Sequence, residues 1–190
     1  MNDAGGGASA LHARDRLRKW AAVVAPLAWL GVILAARAGI PAPGVGRWLE
    51  PFAEQLASLV QVAMGWTGID TLRHGAFLYA PGAFAYEIGI GCTGLLPAAV
   101  VATAILATPR TAARRAWGIA ALVPVVLLVN LVRLAHLFYI GVRAPGAFEQ
   151  AHLVWWEAGL VAVVAVAFAL WLAWSRVATR RSWSASFGES

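Results

Sequence analysis

The chain has 190 residues, of which 61% are hydrophobic and 13% charged, with a mean hydropathy of +0.70. A soluble domain of this size cannot bury so much apolar side chain, so lipid is predicted to be the solvent for much of it. A net charge of +6 would suit a nucleic-acid binder, but the placement of the basic residues excludes that class, because no basic amphipathic or aromatic-interleaved module accompanies them.

In chain order, Arg14, Arg16, Arg18 and Lys19 precede the first apolar run, Arg110, Arg114 and Arg115 separate the second from the third, and Arg176, Arg180 and Arg181 follow the last. The positive-inside rule puts these segments in the cytoplasm. Residues 1–19 are read as a basic cytoplasmic segment, disordered over its Gly- and Ala-rich first ten residues. Residues 20–174 are read as a membrane-embedded domain, and 175–190 as a cytoplasmic tail. Four runs are apolar enough to span: 20–38, 93–108, 116–140 and 153–174. The first exceeds a signal-peptide core, although Ala35-Ala36-Arg37-Ala38 keeps cleavage open. The predicted fold is an all-α polytopic membrane protein of the inner (cytoplasmic) membrane, with an outer interfacial helix and a small extracytoplasmic hairpin.

Those outer elements occupy residues 39–91. Over 51–64, Phe52, Leu56, Leu59, Val60 and Ala63 recur at helical spacing opposite Glu54, Ser58 and Gln61, which predicts a helix with Pro51 in its first turn. The period then changes. Phe84, Tyr86, Ile88 and Ile90 alternate with Ala83, Ala85, Glu87 and Gly89, after a turn at Pro81-Gly82. This hairpin is predicted to deliver Cys92, the only cysteine, to the mouth of the second span. One face of its second strand carries Ala83, Ala85, Gly89 and Gly91, which suits either a substrate strand pairing there or close packing on the helices.

Three residues then carry potential chemistry. Cys92 reads either as a small buried hydrophobe or as a nucleophile whose thiol pKa is lowered by Arg133 and by the start of the second span. Arg133 lies about seven residues below the outer end of its helix, near 10 Å at 1.5 Å per residue, and either faces the protein interior or snorkels. Asn130, Arg133 and His136 make one stripe, Glu157 at similar depth is the natural counter-ion, and His152 opens the last helix where it can exchange a proton. His136 competes with His152 for that role, while His74 falls in a predicted turn and His12 on the cytoplasmic side. One cysteine excludes an internal disulfide framework, and no spacing suggests a metal site or a cofactor. A small transporter using Asn130, Arg133 and Glu157, or a non-enzymatic scaffold, are the other readings.

Glu87-Ile88-Gly89-Ile90-Gly91-Cys92-Thr93-Gly94-Leu95, Asn130-Leu131-Val132-Arg133 and Phe148-Glu149-Gln150-Ala151-His152 together resemble the three signature blocks of the exosortase/archaeosortase family. The resemblance covers about residues 68–174. It implies a membrane cysteine protease-transpeptidase with Cys92 as nucleophile, Arg133 as stabiliser of the reacting carbonyl or thiolate and His152 as acid/base, with Asn130, Glu157, Thr93 and Glu87 in support. The implied substrates are proteins with a carboxy-terminal sorting signal (a motif, a transmembrane helix and a basic cluster), cleaved on the outer side. Many members have more spans and a serine after the cysteine; the compact chain and Thr93 resemble the short single-domain branches, such as the exosortase H type. Sequence specifies neither the motif, the acceptor nor an oligomeric state.

Overall fold

A computed structural model describes the backbone of residues 45–186 and the side chains of 49–175. The predicted first span and basic amino-terminal segment lie outside the described residues. The element order is α1 (Val45–Trp66), β1 (Leu72–His74), β2 (Phe77–Ala80), β3 (Phe84–Glu87), a 3-10 turn (Ile90–Cys92), α2 (Leu95–Ala107), α3 (Ala112–Arg143) and α4 (Trp156–Ser186), with the short turns 145–155 leading into α4.

The sheet is antiparallel in the order β1-β2-β3, one strand more than the predicted hairpin. The turns explain it. Gly75, at φ +61 in the two-residue loop between β1 and β2, takes the left-handed first position of a II′ hairpin turn, so His74 ends a strand rather than lying within a turn. Between β2 and β3, Pro81 fixes its own φ while Gly82 adopts φ +72, and the Ala83 N–H donates to the Ala80 carbonyl, which closes a type II turn. β3 ends at Glu87, three residues short of the alternation in the sequence. Gly89 lets the chain leave the ladder, and the 3-10 turn takes up Ile90.

The sheet, α1 and the second half of α3 enclose one core of Ala53, Leu56, Ala57, Val60, Met64, Leu78, Ile88, Leu134 and Phe138. α1 begins six residues before Pro51, which therefore sits inside the helix and not at its first turn, and its buried stripe runs through Ala53 and Ala57, leaving Leu59 exposed. Small residues on that stripe let the helix approach the sheet closely. Val62 and Trp66 stay exposed with Leu59.

α2, α3 and α4 form a second core of Ala98, Val101, Ile105, Val126 and Trp171. α3 and the segment Pro145–Ser175 are long and apolar enough to cross a membrane. Trp117, Leu128 and Val132 on α3, and Val161, Val166 and Leu170 on the last helix, remain exposed, as lipid-facing side chains would. α2 is the correction: it starts at Leu95, two residues later than predicted, and its 13 residues span about 20 Å at 1.5 Å per residue. Gly94 sets that start, because its φ of +78 cannot continue a right-handed helix backwards.

Candidate functional site

The site begins where β3 hands over to α2. The Cys92 N–H donates to the Gly89 carbonyl at 2.8 Å, and the Thr93 hydroxyl donates to the Ile90 carbonyl at 2.7 Å, so the turn carrying the thiol is pinned from both sides. Thr93 is buried, and it holds the turn rather than presenting a hydroxyl to solvent. Asn130 of α3 then reaches across: its Nδ2 donates to the Cys92 carbonyl at 2.8 Å. A Cβ on Gly94 would lie 2.7 Å from Asn130 Cγ, so a glycine is required there both by the left-handed φ and by the approach of this side chain.

One turn further along α3, Arg133 donates from a terminal guanidinium nitrogen to Asn130 Oδ1 at 3.4 Å. Asn130 is thus bonded on both ends of its amide, to the cysteine turn and to the arginine. At 6% exposure, Arg133 faces the protein interior and does not snorkel. Its Nε–H is buried and has no hydrogen-bond partner among the described residues.

The stripe predicted through Asn130, Arg133 and His136 splits. Each step of three turns the side chain by about 60°, so His136 has rotated out of the buried face. It is exposed, and the Trp156 indole N–H donates to its Nδ1 at 2.9 Å.

His152 arrives through a different device. It lies in a π-helical turn, Ala151–Trp155, closed by the Trp156 N–H donating to the Ala151 carbonyl. On an ideal α-helix His152 and Glu157 would be about 140° apart. The extra residue in an i→i+5 turn swings residues five apart toward one face, which is the irregular start that the two side chains need to share a site. The half-buried His152 ring stacks on Phe148 at 5.7 Å and 26°, and Phe148 packs on Phe84 at 4.9 Å and Tyr86 at 6.4 Å. Tyr86 in turn donates its hydroxyl to the Leu134 carbonyl, beside Arg133.

Electrostatics tie these groups to the thiol and correct the expected pKa. Burial pushes the Cys92 thiol up, and it outweighs the opposing pull of Arg133; Glu157, also within electrostatic reach, adds to the rise. The surroundings therefore favour the thiol, opposite to the lowered pKa expected from sequence. Burial likewise holds the Tyr86 phenol far above its usual range, with Cys92 adding to the rise and Arg133 opposing it, so Tyr86 is a neutral neighbour of both groups. Glu87 stands apart, exposed at the end of β3.

Cys92, Thr93, Asn130 and Arg133 are thus directly bonded or adjacent, Glu157 acts on the thiol through space, and His152 is reached through the aromatic cluster. Tyr86 and Phe148 were missed as parts of the site. The only available signal was that one lies on the alternating strand and the other opens the block containing His152.

The family model for transmembrane exosortase (EpsH) matches residues 17–172. The chain belongs to that family, and with its two long apolar helices it is a membrane protein of the exosortase type. Searches of curated proteins and of solved structures each found no significant match.

Proposed function

We propose that the protein is a cysteine protease-transpeptidase that cleaves a carboxy-terminal sorting signal of exported proteins. In this reading residues 20–174 form the membrane-embedded catalytic domain, residues 1–19 and 175–190 lie in the cytoplasm, and Cys92 and His152 work on the outer side of the inner membrane. The observation that carries it is the pair of hydrogen bonds at the Asn130 amide, one donated to the cysteine turn and one accepted from a buried arginine. A packing cysteine has no need of such a link, and an interior Arg is too costly to keep without use.

Because burial favours the protonated thiol, attack requires a base. His152 takes the Cys92 proton as Sγ adds to the scissile carbonyl, and the Arg133 Nε–H supports the oxyanion, a role commonly worth about 3–4 kcal/mol. His152 then returns the proton to the leaving amine as the C–N bond breaks. The thioester left on Cys92 passes to an amine or to water, which restores the thiol.

The test is substitution in cells that make the substrates. Cys92→Ala, Arg133→Ala and His152→Ala are expected to abolish processing while the protein accumulates in the membrane, and His136→Ala is expected to be mild. A function that needs Arg133 and Glu157 but not Cys92 would instead indicate a transporter, and tolerance of Cys92→Ser a non-enzymatic scaffold. The topology is read separately, by labelling Cys92 in intact cells with a membrane-impermeant thiol reagent.

A further inference from the structure

Resting on that reading, we infer that the substrate docks as a fourth strand on the free edge of β3, parallel to it, with its carboxy-terminal end at Cys92. The hydrogen-bond register defines the edge. Ile88 donates its N–H to the Ala76 carbonyl at 3.1 Å, and Leu78 stands opposite Tyr86 and Ala80 opposite Phe84. Antiparallel pairs alternate, so Phe84, Tyr86 and Ile88 turn their backbone groups to β2, while Ala85 and Glu87 turn theirs the other way. Among the described residues no strand lies on that side, since β3 ends the order β1-β2-β3. The Glu87 carbonyl already accepts from the Gly89 N–H, which leaves the Ala85 N–H, the Ala85 carbonyl and the Glu87 N–H as the pairing groups.

A sheet edge is ordinarily guarded against unwanted pairing by charged side chains, a Pro, a bulge or shortness, and here the guard among the described residues is the single charge of Glu87 on a four-residue strand. This one carries Ala85 and Glu87, both exposed, followed by Gly89 and Gly91, beside which a Cβ would meet nothing within 4 Å. Among the described residues the bare face is therefore open and packed against no helix. Past Glu87 the chain leaves the ladder at Gly89 and enters the turn that holds Cys92. Continuity with the thiol selects the occupant: an extended peptide whose last residues reach Sγ. Direction follows from the two chains' courses. β3 runs toward α2 and the membrane, and a sorting signal likewise runs from its outer motif into its transmembrane helix, so the two strands are parallel. Backbone pairing supplies affinity without dictating side chains, and the side chains of the motif remain to be read by pockets.

The test uses the full-length protein in detergent and measures alkylation of Cys92 by mass spectrometry. Acetyl-tetra-alanyl chloromethyl ketone, with its reactive group at the carboxy end, is compared with acetyl-alanyl chloromethyl ketone, and each rate is divided by that of iodoacetamide. Two or three strand hydrogen bonds at the usual net worth predict roughly tenfold or more acceleration by the longer reagent. Chloroacetyl-tetra-alanine amide, whose reactive group is at the other end, should gain nothing. Ala85→Pro removes one outward donor at a position where an edge strand tolerates proline, and it should cut the acceleration several-fold, whereas Ala85→Ser should keep it. Should Ala85→Pro fail to accumulate, N-methylation along the tetra-alanyl reagent on the unaltered protein decides: loss at alternate residues supports the strand, and uniform or absent effects overturn it. Equal acceleration by both tetra-alanyl reagents overturns the parallel direction, and no acceleration overturns docking. None of these readouts requires turnover. Failure of docking therefore leaves the protease reading standing if Cys92→Ala abolishes processing, and activity in Cys92→Ala removes both.

Discussion

The two halves of α3 serve different cores, and the contrast separates what holds this protein together from what it is built to do. In the first half Gly118 admits Trp171 so closely that a Cβ would lie 2.4 Å from the indole nitrogen, and the surroundings are Ala98, Val101, Ile105 and Val126. Small residues allow helices to approach in lipid, where the hydrophobic effect between them is weak. In the second half the close approaches are again glycines, Gly141 against the Phe84 ring and Gly94 against Asn130, but the contacts include buried polar groups with assigned partners. Packing alone accounts for the first core. The second holds Asn130 and Arg133 at a desolvation cost that shape-filling does not require.

The contrast breaks most visibly at the paired glycines. Gly94→Ala forces a side chain into a left-handed φ and against Asn130, which by strain plus overpacking should cost about 2–5 kcal/mol and abolish processing. Thermal unfolding in detergent, alongside a processing assay, checks both effects. Next in size is the π-turn: inserting an alanine after the exposed Val154 puts His152 and Glu157 six residues apart, about 120° on an ideal helix, and turns them off a common face. Processing should fall about a hundredfold, the loss expected from ångström-scale misplacement, while the protein still inserts. Normal processing after that insertion would show that the turn has no part in positioning His152.

Gly118→Ala tests the other half. Overpacking against Trp171 should lower stability by about 1–3 kcal/mol, read as a lower unfolding temperature in detergent, with processing per folded molecule unchanged. A loss of processing per folded molecule would join the two cores functionally.

The smallest effect is electrostatic and is read from iodoacetamide labelling of Cys92 against pH. The midpoint should lie above the ordinary thiol range, Arg133→Met should move it higher, and Glu157→Gln should move it lower. The sign for stability follows from the same rise. Stability tied to the protonated thiol is fully present below its unfolded pKa and is lost as pH rises through the folded one. A midpoint below the ordinary range would restore the lowered thiol pKa expected from sequence.

Sequence by itself determined the membrane class, the second strand of the hairpin with its Pro-Gly turn, and the residues that make up the three blocks. Each depends on composition, on a short period or on residue type, and these are local properties of the chain. Arg133 was legible as an interior group because the cost of a charge in an apolar helix is known without coordinates. What only the tertiary structure decided depends on neighbours distant in sequence. Asn130 reaches across 38 positions to the Cys92 carbonyl. Tyr86 meets α3 across 48 positions, and Phe148 packs on β3, so neither was visible as part of the site. The thiol pKa went the wrong way in the sequence reading because nearby charge can be guessed from spacing, whereas burial is a sum over everything that surrounds the sulfur. His136 leaves the buried stripe where α3 stays regular, whereas His152 stacks on Phe148 from a turn before α4 that does not. A single extra residue in a turn changes azimuth without changing composition, and no period count registers it.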